Sequence, residues 1–514
     1  MKQYRRLFIV VVVLSLLGST LIAQGPDTLW TRTYGGIYYD MSRSIQQTSE
    51  GGYIICGWTN SFGAGSDDVY LIKIDSEGDT TWTKTFGGTF SDGGYSVKQT
   101  PDKGYIIVGY TISYGGGDGD LYLIKTDSLG NTTWWRDYGD IYFDMGRSVQ
   151  VTFDSMYVIA GYTYGANSWD VYLLKVRKNG TLYSLNQLGG PLSDRGYYVY
   201  ETADSGYIVV GNTSSYGAEG DDIYLIKTDL NGDTLWTKFY GGTENDVGYS
   251  IQQTSDGGCI ICGWTYSFGA GNSDGFLIKT YPNGGLLWLR TYGGVYNDGL
   301  FSVREVSGGG YIACGYTKSF GIGTPEHSNI YLIRTNPDGN ILWTKTYGGD
   351  SPDNGYSIQQ TDDNGYIITG STSSFGAGAA DVYVIKTKPD VGVRECKDSR
   401  KETQDIRLAC HPNPFTTSTQ IILTLPSIGQ GAEGNSSAQE HSDREDIALH
   451  IYDVSGRLIR RLIPEFQSSR VQRVEWKGRD DRGDTVKQGI YFVRVEIKAE
   501  NWSKSYRSKI IKLR

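Results

Sequence analysis

The sequence predicts an all-β chain, a seven-bladed β-propeller followed by an immunoglobulin-like β-sandwich, and three observations carry that expectation. Trp30, Trp82 and Trp134 are spaced by 52 residues, and Tyr183, Trp236, Trp288 and Trp343 continue the series with small changes of length. A period of this size belongs to solenoids, propellers and arrays. Each unit holds four short alternating segments separated by Gly, Asp, Asn and Ser, the pattern of four strands joined by tight turns. The 70 Gly and 40 Tyr among 514 residues suit short strands and turns better than helices.

The chain opens with Lys2, Arg5 and Arg6, an apolar run from Leu7 to Leu17 and then small or polar residues. That is the layout of a secretory signal peptide over residues 1–23, with cleavage expected after Ala23. No later stretch approaches the ~20 apolar residues needed to span a bilayer. An exported mature chain without a transmembrane segment is therefore expected. The net charge of −9, with no basic face in the repeats, argues against a nucleic-acid partner.

The propeller is assigned to residues 27–388. In well-preserved copies its four strands read "YSVKQT", "GYIIVGYT", "DLYLIKTD" and "TTWWRDYG". The second is rich in Ile and Val and is expected to be the most buried. The third and fourth are joined by D-x-x-G turns, Asp75 to Gly78 and Asp127 to Gly130 among them, in which Asp can bond the turn backbone and Gly can take positive φ. Counting the "YLIK" strand gives seven copies. The ends decide the architecture. The mature chain begins with a lone fourth strand, "DTLWTRTYGG", and the last copy stops after its third, "DVYVIKTK". If the N-terminal strand completes the last blade, every blade has four strands and the seam of a closed ring is protected. A calcium-binding β-roll is excluded because the period is several-fold too long and the Gly/Asp spacing at Gly115–Leu123 is off by one.

Three positions recur in all seven copies. Gly57, Gly109, Gly161, Gly211, Gly263, Gly315 and Gly370 are each followed two residues later by Thr. Glycine there reads as a bulge or close backbone approach, and Thr as a partner for the turn backbone. The third position is acidic: Asp40, Asp92, Asp144, Asp194, Asp246, Asp298 and Asp353. If the next strand is innermost, these carboxylates stand near one mouth of a central channel. Bracing of the loop to the next blade is the favoured role; a ring of unpaired carboxylates holding a structural cation is the alternative. Departures from the repeat are the candidates for specific chemistry. These are Trp169 in a shortened loop of the third copy, Arg195 after the recurring Asp of the fourth, and Glu326 with His327 in the insertion "GIGTPEHSN" of the sixth. No catalytic residue is assigned, since no Ser-His-Asp order, HExxH or phosphate loop rises above the repeat.

Cys56, Cys262 and Cys314 share a repeat position with Val, Ala and Thr and read as small buried residues. Cys259 takes the place of a Tyr and lies too near Cys262 along one strand to bond with it easily. Cys396 and Cys410 flank the start of the last domain and are left open as a pair. A charged linker spans 389–404. From 405 to 514 about seven strand-like segments, with a polar insert over 427–446, suggest the immunoglobulin-like sandwich.

Certain segments resemble known families. "LYLIKTDSLGNTTW" looks like the blade hairpin of quinoprotein-type propellers, and "DGGYIIxGxTxSxG" is similar to the β-propeller repeats of secreted bacterial surface proteins. No paired vicinal Cys or carboxylate set of the kind a quinoprotein cofactor requires is found, and no cofactor is predicted. In the tail, "PNPF" at Pro412 to Phe415, "YDVSGRLIRRL" at Tyr452 to Leu462, "GIYFVRV" at Gly489 to Val495 and "KIIKLR" resemble the C-terminal sorting domain of type IX secretion cargo. "WKGRDDRGDTVKQGIYFVRV" is equally similar to the immunoglobulin-like domain of flagellar hook-capping proteins. The resemblance implies passage through the outer membrane by the type IX machinery, and release or attachment at the cell surface. The expected function is a binding platform for protein or glycan. The alternative is a propeller enzyme, a lyase or hydrolase acting on polysaccharide.

Overall fold

The computed structural model describes residues 25–165, 167–390, 407–411, 418–424, 446–453, 457–462, 471–499 and 502–512. The expected signal peptide, most of the linker and the polar insert, and Cys396, with the open question of its pairing to Cys410, lie outside them. The chain divides into two units, Met1–Arg394 and Glu395–Arg514.

The first unit contains seven four-stranded antiparallel sheets, the repeated blades of a propeller, and no helix occurs among the described residues. Sheet 1 runs Asp40–Gln47, Tyr53–Thr59, Asp68–Ile74, Thr80–Phe86 in spatial order. Sheets 2 to 6 repeat it from Asp92, Asp144, Asp194, Asp246 and Asp298. Sheet 7 takes Asp353–Gln360, Tyr366–Thr372 and Asp381–Thr387, and Thr28–Tyr34 from the other end of the chain is its outer strand. That strand pairs antiparallel with the third, from Thr28 opposite Thr387 to Tyr34 opposite Val382.

The middle strands are buried on both faces, which explains their unbroken Ile, Val and Leu. Alternate side chains of one strand point to opposite neighbours. Ile54, Cys56, Val69 and Leu71 of sheet 1 pack on Val97, Tyr105 and Ile107 of sheet 2. Ile55, Tyr70 and Ile72 pack the other way, on Ile367, Val382 and Val384 of sheet 7. Each fully buried aliphatic side chain contributes about 1.5–3 kcal/mol. Cys56, Cys262 and Cys314 are free buried thiols in these cores. The outer strands dock through their aromatics. Trp30 Nε1 donates to the Ser76 carbonyl at 3.2 Å and the Tyr34 hydroxyl to that of Gly78 at 2.6 Å, tying sheet 7 to a turn of sheet 1. Trp134 and Tyr138 bond the turn at Lys178 and Gly180 in the same way. Within the turn Asp75 accepts from the Glu77 and Asp79 amides at 2.9 and 2.8 Å, and Gly78 has φ +85°.

The first strand differs from its sequence-based bounds. It begins at the recurring Asp, as in Asp92–Gln99, and carries a β-bulge: Gly94 opposes Gly109 and Ser96 opposes Val108, leaving Tyr95 between them. The same shift occurs in all seven sheets. The recurring glycine sits opposite it. A Cβ on Gly211 would overlap the Arg195 carbonyl oxygen, and the other six glycines meet the equivalent carbonyl.

The second unit has a three-stranded sheet, Arg407–His411, Thr419–Thr424 and Val471–Trp476, and a four-stranded one. The latter is ordered Leu458–Leu462, Asp446–Asp453, Gly489–Ala499, Trp502–Lys512, and both sheets are antiparallel. Trp476 of the first meets Tyr491 of the second edge to face at 5.2 Å.

Replacing Gly211 by Ala is expected to lower unfolding stability by about 3 kcal/mol, because neither strand can retreat from the overlap. A urea denaturation midpoint equal to that of the natural protein would refute this account of the bulge.

Candidate functional site

The bulge decides what faces the interior, because it turns an extra residue of the first strand toward the strand's free side. In successive sheets that residue is Arg43, Tyr95, Arg147, Tyr197, Tyr249, Phe301 and Tyr356. Together they make an unbroken cycle of contacts. The Arg43 guanidinium lies 3.9 Å from the Tyr356 ring and 5.8 Å from Tyr95. That of Arg147 lies 4.2 Å from Tyr95 and 5.2 Å from Tyr197. Tyr197–Tyr249, Tyr249–Phe301 and Phe301–Tyr356, at 4.9, 5.1 and 5.3 Å, return to the start. A cation over a desolvated ring is held by about 2 kcal/mol or more. Burial works against the Arg147 charge, but the surrounding phenols hold its pKa above the ordinary value.

These residues line a cavity of about 360 Å³ to which all seven sheets contribute. Next along the strand comes a Ser whose hydroxyl accepts a backbone amide of the following sheet. Ser44 accepts from Val97 at 3.3 Å, Ser96 from Val149 at 3.3 Å and Ser302 from Ile358 at 3.3 Å. Two residues further a Gln carbonyl accepts another such amide. Gln46 takes that of Gln99 at 2.8 Å, Gln252 that of Glu305 at 2.9 Å and Gln359 that of Gln47 at 2.9 Å. Sheets 2, 4 and 6 replace a staple residue, and three of the replacements converge; sheet 3 keeps both residues, but the Ser148 hydroxyl has no partner and Gln150 turns to Tyr198. Tyr198 replaces the Ser; Lys98, Tyr200 and Arg304 replace the Gln. Arg304 Nη2 donates to the Tyr198 hydroxyl at 2.9 Å, and Gln150 Nε2 reaches the same oxygen at 3.4 Å. Burial opposes ionisation of Tyr198, but Arg304 and Lys98 together draw its pKa below the ordinary value. Burial, with Arg304 beside it, lowers the pKa of Lys98 against the pull of Tyr198. By surface area Lys98 is half-buried, and the area it keeps faces the cavity. Lys98 and Arg304 also line a second cavity of about 360 Å³, so they stand at the waist between the two.

The seven recurring Asp are buried, each in its own network. Asp40 accepts from the Thr59 hydroxyl, from Ser61 Oγ at 2.6 Å and from the Gly36 amide at 2.7 Å. Thr59 Oγ1 in turn accepts the Ser61 and Phe62 amides. Among the described residues no group of three or more His, Cys, Asp or Glu is placed to hold a metal ion. The third copy differs, with Gly165 where the others have Ser. Burial raises Asp144 to about 6, with the Asp140 and Asp120 charges adding to it, despite bonds from Thr163 and the Asp140 amide. Trp169 and Arg195 come together there, the guanidinium 5.2 Å from the indole, and Trp169 packs on Tyr162 at 5.2 Å. Glu326 is exposed and His327 half-buried in their loop, and neither lines a cavity with the cluster.

The loops around the Asp networks interlock and expose apolar side chains. The Tyr38 and Phe90 amides donate to Ser61 and Ser113, and the Asp40 amide donates to Ala380 of sheet 7. Ile37, Ile141 and Val295 are 69%, 68% and 66% exposed at the same loop position, and Phe90, at the position of Tyr38, is 61% exposed. Tyr38, Tyr39, Tyr142 and Tyr296 are exposed beside them.

Sequence reasoning did not single out Arg43, Lys98, Arg147, Tyr198 or Arg304. The signal lay three, four and six residues after the recurring Asp, where an alignment of the copies shows cations and Tyr198 among Tyr, Ser and Gln.

No family model and no curated protein matches the chain. Among solved structures it is similar to PorZ, a surface component of the type IX secretion system of Porphyromonas gingivalis. That match has 12% identity over 93% of this chain and 60% of that one, with TM-score 0.38. Polysaccharide lyase Uly1 matches at 12% identity over 72% of this chain and 91% of its own, with TM-score 0.41. The periplasmic gluconolactonase PpgL of Pseudomonas aeruginosa matches at 11% over 68% and 97%, with TM-score 0.39. Similarity this remote leaves the chemistry to be read from the residues.

A carboxyl that titrates near 6 when folded and near 3.9 when unfolded weakens the fold above pH 6. Stability returns as pH falls from about 6 to about 4, where only the folded state takes up the proton. Asp144→Asn is therefore expected to stabilise the protein by about 2–3 kcal/mol at pH 7.5 and by little at pH 4. Thermal melts at the two pH values check this, and an equal effect at both would contradict it.

Proposed function

We propose that this protein is a secreted or cell-surface binding platform: a closed seven-bladed propeller presenting a ligand-binding face, carried by an immunoglobulin-like export domain. The exposed apolar crown on the Asp-braced loops is the observation that carries the reading. A water-exposed set of Ile, Val, Phe and Tyr held on rigid, hydrogen-bonded loops is suited to recognition. Closure is supported by the pairing of Thr28–Tyr34 with sheet 7, by the core shared between sheets 7 and 1 and by the cycle of ring contacts. A bracing role for the seven Asp is supported by their separate hydrogen-bond networks. No helix among the described residues is long and apolar enough to cross a membrane.

The crown is tested with Ile37→Ser, Phe90→Ser and Ile141→Ser combined in the full chain. Screening on a glycan array and against outer-membrane extracts, with partners identified by mass spectrometry, is expected to give a ligand. The triple variant should bind it at least tenfold more weakly at unchanged melting temperature. Turnover of a polysaccharide without a retained partner would favour the enzymatic alternative, with Tyr198 beside Lys98 and Arg304 as the first residues to replace.

Export by the tail rests on the resemblance of its motifs and is supported by the two antiparallel sheets joined at Trp476 and Tyr491. Deleting residues 405–514 is expected to leave the chain in the periplasm of a type IX-competent host. Surface display without them would refute the assignment.

A further inference from the structure

We propose that the inner cavity is a binding site for a small organic anion of acidic-monosaccharide size, anchored by Lys98, Arg304 and Tyr198. This site is separate from the exposed crown and does not rest on the platform reading.

Charge is the first ground. The chain has a net charge of −9, yet Arg43, Lys98, Arg147 and Arg304 all line this cavity, and no Asp or Glu does. Buried cations without carboxylates are costly unless something anionic joins them. The carboxylates that act on so many other cations in this protein are absent from the influences on Lys98, which are burial, Tyr198 and Arg304 alone. Arg43 Nε has no hydrogen-bond partner, although its guanidinium is held against Tyr356 and Trp58. Aromatic faces fix these guanidiniums in place without neutralising them.

The second ground is the sacrifice made to place the anchors. Gln at this position ties a sheet to the next by a bond of 2.8–2.9 Å in three copies. Lys98 and Arg304 cannot accept that amide, since neither side chain carries an acceptor when charged. Tyr198 likewise gives up the Ser staple. Of the four replaced staple residues in sheets 2, 4 and 6, three, Lys98, Tyr198 and Arg304, line one cavity, and there Tyr198 bonds Arg304 across 106 residues of sequence. Departures from local consistency that converge in a cavity mark function better than they mark drift.

The third ground is shape. About 360 Å³ lies in the range of small-molecule sites and holds one sugar ring with its acidic group. Arg304 Nη1 is taken by the Val303 carbonyl and Ser250 Oγ, and Nη2 donates once to Tyr198, which leaves Nε and the second Nη2 hydrogen for an oxyanion; Lys98 adds a point charge, and Tyr198 adds a hydroxyl donor. Tyr95, Tyr249 and Phe301 offer apolar walls to the ring.

The test is calorimetric titration of the full chain with D-glucuronate, inorganic sulfate and D-glucose at low ionic strength. Glucuronate is expected to bind and glucose is not. Sulfate that binds as tightly as glucuronate assigns the site to the oxyanion alone; tenfold weaker sulfate adds contacts to the sugar body. Both support the proposal. Lys98→Met and Arg304→Met should each weaken binding by tenfold or more, roughly the loss of one charge-assisted hydrogen bond. The melting temperature of Lys98→Met without ligand should not fall, because it removes a half-buried charge that no carboxylate faces. Arg304→Met also loses the bonds to Val303, Ser250 and Tyr198 and is read by its affinity beside Arg304→Lys. Arg304→Lys keeps the charge without the fork and should bind between the natural protein and Arg304→Met, which separates recognition from folding. No heat with either anion at millimolar concentration, or undiminished affinity in both Met variants, would overturn the proposal.

Discussion

A side chain on Gly57 or any of its six counterparts would collide with a carbonyl oxygen of the neighbouring strand, and that contact organises the propeller unit. The glycine lets the first strand bulge toward the second. The bulge inserts one residue that the ladder does not pair, and that residue faces the interior. It also carries the strand past the bulge with its Ser and Gln directed at the next sheet, where they accept backbone amides. One backbone irregularity, written seven times, thus joins sheets and furnishes the cavity wall together.

Joint and wall place opposite demands on the same few residues. A staple needs a short acceptor such as Ser Oγ or Gln Oε1, whereas a site needs reach and charge. Sheets 1, 5 and 7 satisfy the joint at both positions. Where Lys98, Tyr198 and Arg304 satisfy the site, the lost bond is carried by the apolar cores, which bury Ile, Val and Leu on both faces of the middle strands. The ring of Arg and aromatic residues avoids the conflict, because the bulged residue has no ladder partner to lose.

The strand series, the turn chemistry of Asp75–Gly78 and the outer-strand role of Thr28–Tyr34 were legible in the sequence because each follows from local rules repeated many times. The recurring Asp, Gly and Thr stood out for the same reason, and the structure gives Asp40 hydrogen bonds from Thr59, Ser61 and Gly36. The recurring glycine read as a bulge or a close approach, but that the first strand bulges, with the glycine opposite it, was not legible, since only pairing reveals the shift. Without the bulge, inward and outward positions of the first strand are misassigned, and the cations on it read as solvated surface. Trp169 and Arg195 were visible as departures, and they do meet, but at the loop of the third copy. Glu326 and His327 were visible for the same reason and stand apart. Departure from a repeat therefore finds candidates; convergence in space selects among them.

That selection is physical as well as geometric. In water a lysine at position 98 and an arginine at position 304 would be held apart by their own hydration. Inside the cavity they share one field, which narrow walls concentrate. Each staple bond given up to bring them together is worth about 1 kcal/mol, and their mutual repulsion adds to that cost. Such an arrangement is stable only because the apolar cores between the sheets overdetermine their packing. It also favours any anion small enough to enter, since the ligand gains the attraction of cations already held in place. The propeller unit spends the rigidity of identical blades on a few that are not identical.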